Sequence, residues 1–189
     1  GVAILIIVMS VMNGFKTDLT KKILGLNPHI VIQSNSFKIE HDFEETLKKK
    51  FQDINISRTY SGEGIVVNND NAKGIIIKGI NTSNIEGLNI LNQSISSGNL
   101  KGFKKNTAFI GAELAFNLDL KVGDKINLMS SSFLATPFGG FPKQETLTIS
   151  GIFRTGFYEF DQNFVFLTLP DALSIFDKND EDQNLEIYL

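Results

Sequence analysis

The sequence predicts an α+β fold, in which a mixed strand–helix part near the N-terminus precedes a strand-rich module. Up to residue 51 apolar side chains recur at helical spacing, whereas from residue 64 onward short β-rich runs alternate with Asn, Gly and Ser turns. The chain has 189 residues, of which 42% are hydrophobic and 21% are charged. This length and composition suffice for one domain, or for two small ones, with a buried core.

The composition excludes several classes of function. A formal net charge of −3, with Arg58 and Arg154 as the arginines, disfavours a nucleic-acid binder, which needs a surplus of cations. Because there is no cysteine, disulfides, thiolate catalysis and Cys-based zinc sites are excluded. His29 and His41 lack metal-ligand spacing, and the sequence has neither a phosphate-binding glycine loop nor a nucleophile elbow. We expect no metal, no cofactor and no nucleotide hydrolysis by this chain.

The first residues form an unusually apolar segment. Residues 2–12 contain Ser10 as their one polar side chain, and the run is shorter than the ~20 residues that a membrane-spanning helix needs. Three interpretations stay open: a buried core helix, the apolar part of a signal peptide, or the distal end of a transmembrane helix that begins before residue 1. An amphipathic continuation favours the membrane helix, with apolar residues at Phe15, Leu19, Ile23 and Leu26.

Helix-breaking residues and the spacing of apolar side chains predict the positions of the remaining helices and strands. Pro28 ends the first helix, and residues 29–33 are typical of a short strand. A surface helix is predicted over 41–51, because Phe43, Leu47 and Phe51 fall on one stripe and Glu–Lys pairs lie four residues apart. Short helices are predicted at 111–117 and 171–177, and strands at 54–60, 64–68, 73–80, 125–130, 146–153, 163–168 and 185–189.

Residues 131–144 form a segment that is long for a hairpin turn, which usually needs about two to five residues. Its centre contains two prolines, two phenylalanines and two glycines, in the order Pro137, Phe138, Gly139, Gly140, Phe141 and Pro142. Prolines fix φ and lack a donor, so we expect the segment to resist ladder pairing and to stand off as a stiff arm. Exposed aromatic rings on such an arm would anchor a partner. The alternative is a loop that folds back and packs both rings on the body.

One carboxylate pair invites a catalytic interpretation. On a strand, Glu159 and Asp161 would share a face and lie ~6–7 Å apart, a separation that suits glycoside hydrolysis. The alternative, which the sequence favours, is a turn whose carboxylates accept hydrogen bonds from backbone N–H groups. We therefore expect no enzyme, with a secreted hydrolase as the alternative of a different class.

Several short motifs occur in a fixed order along the chain. They are Ser10-Val11-Met12-Asn13-Gly14-Phe15, Leu24-Gly25-Leu26-Asn27-Pro28-His29, Gly111-x-Glu113-Leu114-Ala115, Val122-Gly123-Asp124-x-Ile126, Thr136-Pro137-Phe138-Gly139-x-x-Pro142 and Gly156-x-Tyr158-Glu159-x-Asp161. The ordered set resembles the LolC/LolE family, the permease subunits of the ABC transporter that releases lipoproteins from the bacterial inner membrane. The proline-bracketed arm makes the chain similar to LolC, or to the single merged subunit of some bacteria.

The resemblance implies a MacB-like periplasmic architecture, in which a mixed α+β Porter part is interrupted by a β-rich Sabre part. On that pattern the chain is a fragment. Residues 1–26 would be the end of the first transmembrane helix and its extension, and 27–62 the first half of the Porter-like part. The Sabre-like part would cover 63–169, with a protruding hook loop at 131–145, and 170–189 would return toward the Porter-like part. The domain would lie in the periplasm, on the bacterial inner membrane.

The resemblance also implies partners. The hook would engage the periplasmic carrier LolA through Thr136, Pro137, Phe138, Gly139, Gly140, Phe141, Pro142 and Gln144. Some members have a basic residue after Gln144, where this chain has Glu145. Acyl chains of lipoproteins would contact the first helix through Val8, Met9, Val11, Met12 and Phe15. Further partners would be a second permease subunit, LolE-like or identical, and a LolD-like cytoplasmic ATPase. The alternative in the transport class is a MacB-type efflux or FtsX-type signalling permease.

Overall fold

The computed structural model describes residues 2–33, 39, 41–51, 54–68, 71–82, 94–136 and 139–188. The helices in this part are α1 Val2–Leu26, α2 His41–Lys50, α3 Ala112–Asn117, α4 Tyr158–Asn163 and α5 Leu169–Ile175. The strands are β1 Ile30–Ile32, β2 Asn55–Asn68, β3 Asn71–Ile80, β4 Ile95–Gly98, β5 Thr107–Gly111, β6 Lys125–Thr136, β7 Gly139–Phe153, β8 Phe164–Thr168 and β9 Asn184–Tyr188. The predicted α+β class is confirmed.

Six strands close into a ring, which we call the barrel. Their order is β2, β3, β8, β5, β7 and β6, and β6 pairs back onto β2. The β3–β8 and β5–β7 neighbours are parallel, and the other neighbours are antiparallel. Alternate side chains of each strand fill the interior, as in other small closed barrels. Each strand contributes to this buried core, for example through Val66, Ile77, Leu167, Ile110, Ile149 and Leu128.

The sheet extends beyond the barrel on the N-terminal side. Residues 55–59 of β2 pair with β9, which also pairs with β1, whereas residues 64–67 of β2 pair with β6. Helix α2 packs on the extension, where the Arg58 guanidinium donates to the Glu44 carboxylate. A separate apolar cluster lies here, formed by Ile39, Ile56, Leu185 and Ile187, with Leu47 packed against it. One continuous strand therefore crosses the boundary that was predicted at residue 62.

Most predicted elements are confirmed, and the differences have physical reasons. The strands predicted at 54–60 and 64–68 are one strand, because Gly62 and Gly64 do not form a turn. They are glycines because other groups pack closely against them: a Cβ at Gly62 would lie 2.6 Å from the Phe176 ring. Strand β5 was not predicted, since every one of its residues is buried and the sequence shows no alternation. Strand β4 and helix α4 were also missed.

The expectation that the prolines keep residues 131–144 out of a ladder is wrong. Strands β6 and β7 continue through the segment, with pairs from Phe133↔Pro142 to Thr136↔Gly139. The register shifts between the pairs Met129↔Gln144 and Phe133↔Pro142, so that residues 130–132 of β6 lie opposite Lys143 alone. Proline is tolerated next to a bulge, and the hairpin continues past Pro142.

Helix α1 is apolar over its first half, and its side chains there are exposed, from Val2 to Phe15. Pro28 follows the helix, as predicted, and the His29 N–H donates to the Ile187 carbonyl oxygen to start β1. Among the described residues, no helix is both long enough and apolar enough to cross a membrane. The interpretation of residues 1–26 as the end of a transmembrane helix stays a prediction.

A buried polar cluster joins β3 and β9. The Lys78 ammonium lies 2.8 Å from the Glu186 carboxylate, and the Tyr188 hydroxyl donates to the same carboxylate oxygen at 2.8 Å. Lys78 and Glu186 are both buried. Burial is the main reason why the pKa of the Tyr188 hydroxyl is raised above its ordinary value of 10.0, and the charge and hydrogen bond of Glu186 raise it further.

We expect the free energy of unfolding to fall above about pH 10, and Tyr188→Phe to reduce that fall. The unfolded chain releases this proton near its ordinary pKa, whereas the folded chain retains it, so the stabilisation is complete below that pH and is lost as the pH rises. One proton accounts for at most ~1.4 kcal/mol per pH unit. Urea denaturation between about pH 9 and pH 11 measures the slope. Tyr158→Phe, at an exposed tyrosine, is the matched control, and equal slopes in the two variants would contradict the prediction.

Candidate partner-binding arm

Residues 131–145, which we name the arm, extend the β6–β7 hairpin past the barrel. The pairing of β6 with β2 ends at Ser130, and the pairing of β7 with β5 begins at Thr148. In the part of the arm that the structure describes, the strands pair with each other from Phe133 and Pro142 to Thr136 and Gly139. The described part of the arm is thus a two-stranded ribbon whose strands pair with each other, in place of the expected unpaired loop.

The predicted hook residues that the structure describes lie along this ribbon. Gly139, Gly140, Phe141 and Pro142 open β7 and are exposed, Gln144 is exposed near the base, and Thr136 ends β6. Pro137 and Phe138 lie outside the described residues. Gly139 has φ = 120°, a conformation that side chains rarely adopt, so glycine suits the reversal.

Phe141 is one of the two rings, with Phe138, that the sequence predicts to be exposed on the arm. It is 56% exposed. Paired residues of a ribbon share a face and successive residues alternate, so Phe141 lies on the face opposite to Phe133 and Pro142. An exposed aromatic ring on a pre-ordered ribbon is a surface that partners can bind tightly.

Phe133 is a second exposed ring of the arm, and the sequence analysis did not single it out. It is 69% exposed and lines a groove of about 720 Å³ together with Ile65, Met129 and Pro142. Gly74 also lines the groove, and a Cβ there would meet no atom within 4 Å. Phe133 could have been identified from its position opposite Pro142. That position follows only if the segment is treated as a paired hairpin.

Glu145 differs from the basic residue of some family members, and the structure shows what it does. Its carboxylate accepts a hydrogen bond of 2.9 Å from the Ser174 hydroxyl on helix α5. The neighbouring Gln144 is exposed. Strand alternation therefore turns Glu145 toward the body and Gln144 toward solvent.

Asp161 has a structural role, and Glu159 lies exposed on the same short helix. Both lie on helix α4, so the shared strand face is wrong. Asp161 is 2% exposed, and its carboxylate accepts from the N–H groups of Thr155 (2.9 Å) and Gly156 (3.2 Å) and from the Thr155 hydroxyl (2.7 Å). Glu159 is exposed and accepts from the Gln162 amide. The alternative in which carboxylates bind backbone N–H groups is confirmed for Asp161.

Two of the sequence motifs meet in space. Any side chain at Gly111 would overlap the backbone carbonyl oxygen of Asp161, so the glycine that opens one motif is required by the backbone at the residue that closes another. A third motif forms the turn before β6, where Gly123 has φ = 99° and the Asp124 carboxylate accepts from the Lys121 N–H at 2.8 Å. These motifs therefore stabilise the barrel. In the described residues, by contrast, no residue of the arm motif is buried.

The residues proposed to face lipid lie on α1. Each is more than half exposed: Val8, Met9, Val11, Met12 and Phe15. Successive positions are exposed all round the helix, so exposure does not distinguish one stripe of it. What these side chains contact stays a prediction.

A model of the MacB-like periplasmic core domain matches residues 1–189. The chain is 32% identical to the lipoprotein-releasing system transmembrane protein LolC of Buchnera aphidicola and 28% identical to LolE of Haemophilus influenzae, in each case over 91% of the chain. It spans 43% of the length of either relative. The periplasmic region of MacB from Actinobacillus actinomycetemcomitans is similar with a TM-score of 0.54 at 9% identity, covering 84% of this chain and 72% of that one.

The comparisons agree with the resemblance and with the observed architecture. The resemblance to LolC and LolE is confirmed over most of the chain, and the solved MacB region shares the fold. The chain belongs to the family of MacB-like periplasmic core domains.

Proposed function

We propose that the chain is the periplasmic domain of a LolC/LolE-type permease subunit, and that its arm binds the periplasmic carrier LolA. The relatives described above are lipoprotein-releasing system transmembrane proteins, which supports the class of transporter. The observation that carries the proposed binding is the paired ribbon with Phe141 exposed on it. Pairing orders the ribbon in advance and so lowers the entropic cost of docking.

The chemistry of the cargo favours a direct transfer between proteins. Each exposed methylene costs ~0.8 kcal/mol, so an acylated lipoprotein would not enter water unaided. An arm that holds the carrier beside the permease would let acyl chains pass from one apolar surface to another. Energy would come from a LolD-like cytoplasmic ATPase, and a second permease subunit, LolE-like or identical, would complete the transporter. In this scheme the chain has no catalytic role.

The proposed division of the chain follows the MacB pattern. Residues 27–62 and 170–189 would form the Porter-like part, and 63–169 the Sabre-like part, which contains most of the barrel. Residues 1–26 would connect this periplasmic body to the inner membrane. The exposed apolar side chains of α1 support a contact with lipid or with acyl chains, because water is a costly surrounding for them.

A MacB-type efflux or FtsX-type signalling permease is the second candidate. The likeness to the MacB periplasmic region favours it as far as the fold is concerned. Such a permease has no need of an aromatic ribbon at this place, so carrier binding distinguishes the two candidates.

Phe141→Ala is expected to weaken binding of LolA to the chain by about 30-fold, the effect of losing one aromatic hot spot. The matched control is Phe116→Ala, because Phe116 is 82% exposed on α3, which precedes the start of β6, whereas the arm lies at the other end of that strand. Calorimetric titration of each variant with the carrier measures the affinity, and thermal unfolding checks that both variants fold. Pro137→Gly and Phe138→Ala extend the test to the tip.

Equal affinities of Phe141→Ala and the wild-type chain would remove the arm from the interface. No binding of the wild-type chain to the carrier would instead favour the efflux or signalling candidate. The two results are distinguishable, because the wild-type chain binds the carrier in the first and does not bind it in the second.

A further inference from the structure

Three polar contacts join the base of the arm to the end of helix α5. Both strands of the ribbon take part, because one contact comes from β6 and two from β7. The contacts are the Ser132 hydroxyl to the Phe176 carbonyl oxygen (2.7 Å), the Lys143 ammonium to the Asp177 carboxylate (3.3 Å) and the Ser174 hydroxyl to the Glu145 carboxylate (2.9 Å). We name these three contacts the arm clamp.

Helix α5 ends in a Schellman motif whose left-handed residue is Asp177. The Lys178 N–H donates to the Leu173 carbonyl oxygen at 2.9 Å, and the Asp177 N–H donates to that of Ser174 at 3.1 Å. Asp177 has φ = 55°, where glycine or asparagine is usual, and a carboxylate at a helix C-terminus also opposes the helix dipole. Aspartate is therefore a costly residue here, and the contact with Lys143 gives its carboxylate a role.

The end of α5 is itself fixed to the body. Phe176 is buried, and its ring packs on Tyr60 with the ring centroids 5.3 Å apart. The ring also lies directly over Gly62, which leaves room for it. Tyr60 and Gly62 belong to the stretch of β2 between its pairing with β9 and its pairing with β6. The arm clamp thus connects the arm to the junction of the barrel and the sheet extension.

We propose that Ser132, Lys143 and Asp177 are positioning residues that hold the arm at a fixed angle to the body. A ribbon of two strands is strongly twisted and only marginally stable by itself, so a ribbon without a second support would let its tip sample many directions. Contacts from both strands to a rigid helix end remove that freedom before a partner arrives. The consequence for carrier binding rests on the proposed function, whereas the fixed angle does not.

The angle of the arm is measurable by pulsed electron paramagnetic resonance in the complete permease. The chain has no cysteine, so Gly140→Cys on the arm and Phe116→Cys on α3 give one pair of spin labels in it, with cysteines elsewhere replaced by serine. We expect a narrow distribution of label distances. The distribution should widen about two-fold or more in Ser132→Ala and in Asp177→Gly, because each removes one contact of the arm clamp.

Asp177→Gly separates positioning from stability. Glycine adopts positive φ without strain, so this variant should unfold at the same or a higher temperature than the wild type. We nevertheless expect its affinity for LolA to fall roughly five-fold, since the arm is less ordered before binding. The reversed pair Lys143→Asp with Asp177→Lys should regain the affinity and the narrow distribution that Lys143→Asp alone loses.

Unchanged distance distributions in Ser132→Ala and Asp177→Gly would overturn the fixed angle, whether or not the carrier binds. Wider distributions with wild-type carrier affinity would overturn the role of the arm clamp in binding. Wider distributions in a permease whose wild type does not bind the carrier would leave the fixed angle supported and would contradict the proposed function instead. If the reversed pair regains the narrow distribution but not the affinity, Lys143 touches the carrier directly and is not a positioning residue.

Discussion

Replacing Lys78 with methionine is expected to lower the free energy of unfolding by about 3–5 kcal/mol. The Lys78 ammonium lies 2.8 Å from the Glu186 carboxylate, and both side chains are at most one-tenth exposed. Methionine retains the apolar length of the side chain but not its charge. The Glu186 carboxylate would then stay buried without the Lys78 charge, and it would keep the hydrogen bond from the Tyr188 hydroxyl. Urea denaturation at neutral pH measures the loss.

The double variant Lys78→Met with Glu186→Gln is the control. Glutamine removes the unpaired charge and still offers an oxygen to the Tyr188 hydroxyl, so we expect it to regain at least half of the lost stability. A loss below about 1 kcal/mol in Lys78→Met would mean that the pair is solvated like a surface ion pair. That result would contradict the buried cluster that joins β3 and β9.

Asp161→Ala is expected to cost about 3 kcal/mol or more. The Asp161 carboxylate accepts from two N–H groups and one hydroxyl, and the substitution leaves these donors of Thr155 and Gly156 without that acceptor at a partly buried place. Each such orphaned group costs about 1–3 kcal/mol. The helix α4 also loses a negative charge from its first turn. Thermal and chemical unfolding give the size of the effect.

Glu159→Ala is the matched control for Asp161→Ala. Glu159 lies two residues away on the same helix, is exposed and bonds to the Gln162 side chain, so its loss should change stability by less than about 0.5 kcal/mol. Equal and small effects of the two substitutions on stability would contradict the structural role of Asp161. They would also reopen the catalytic interpretation of the pair.

The elements that sequence reasoning predicted well are those with local signals. Helix α2 has an apolar stripe and paired charges, and the Gly123–Asp124 turn uses residues that favour bends. Strand β5 lacks such a signal, because its five residues are all buried between other strands. The closure of the barrel was not predicted either, since it depends on β6 pairing with β2 across some sixty residues of chain.

In the arm, too, some features follow from local sequence and others depend on the fold. Its rings and prolines identify it from composition alone, and the register that places Phe133 opposite Pro142 requires the fold. The prolines predicted an unpaired loop, yet one bulge at residues 130–132 is enough to restore the ladder. The arm clamp could not be predicted because its contacts join residues 29 to 44 positions apart, and none of these residues belongs to a recognisable motif.

Site-specific photo-crosslinking tests most directly whether the arm contacts the carrier. A benzophenone amino acid replaces Phe141 in the complete permease, and the same group at Phe116 serves as the control. We predict a covalent adduct with LolA from position 141 and none from position 116. Adducts with LolA from position 116 but not from position 141 would contradict the assignment of the arm as the carrier-binding surface.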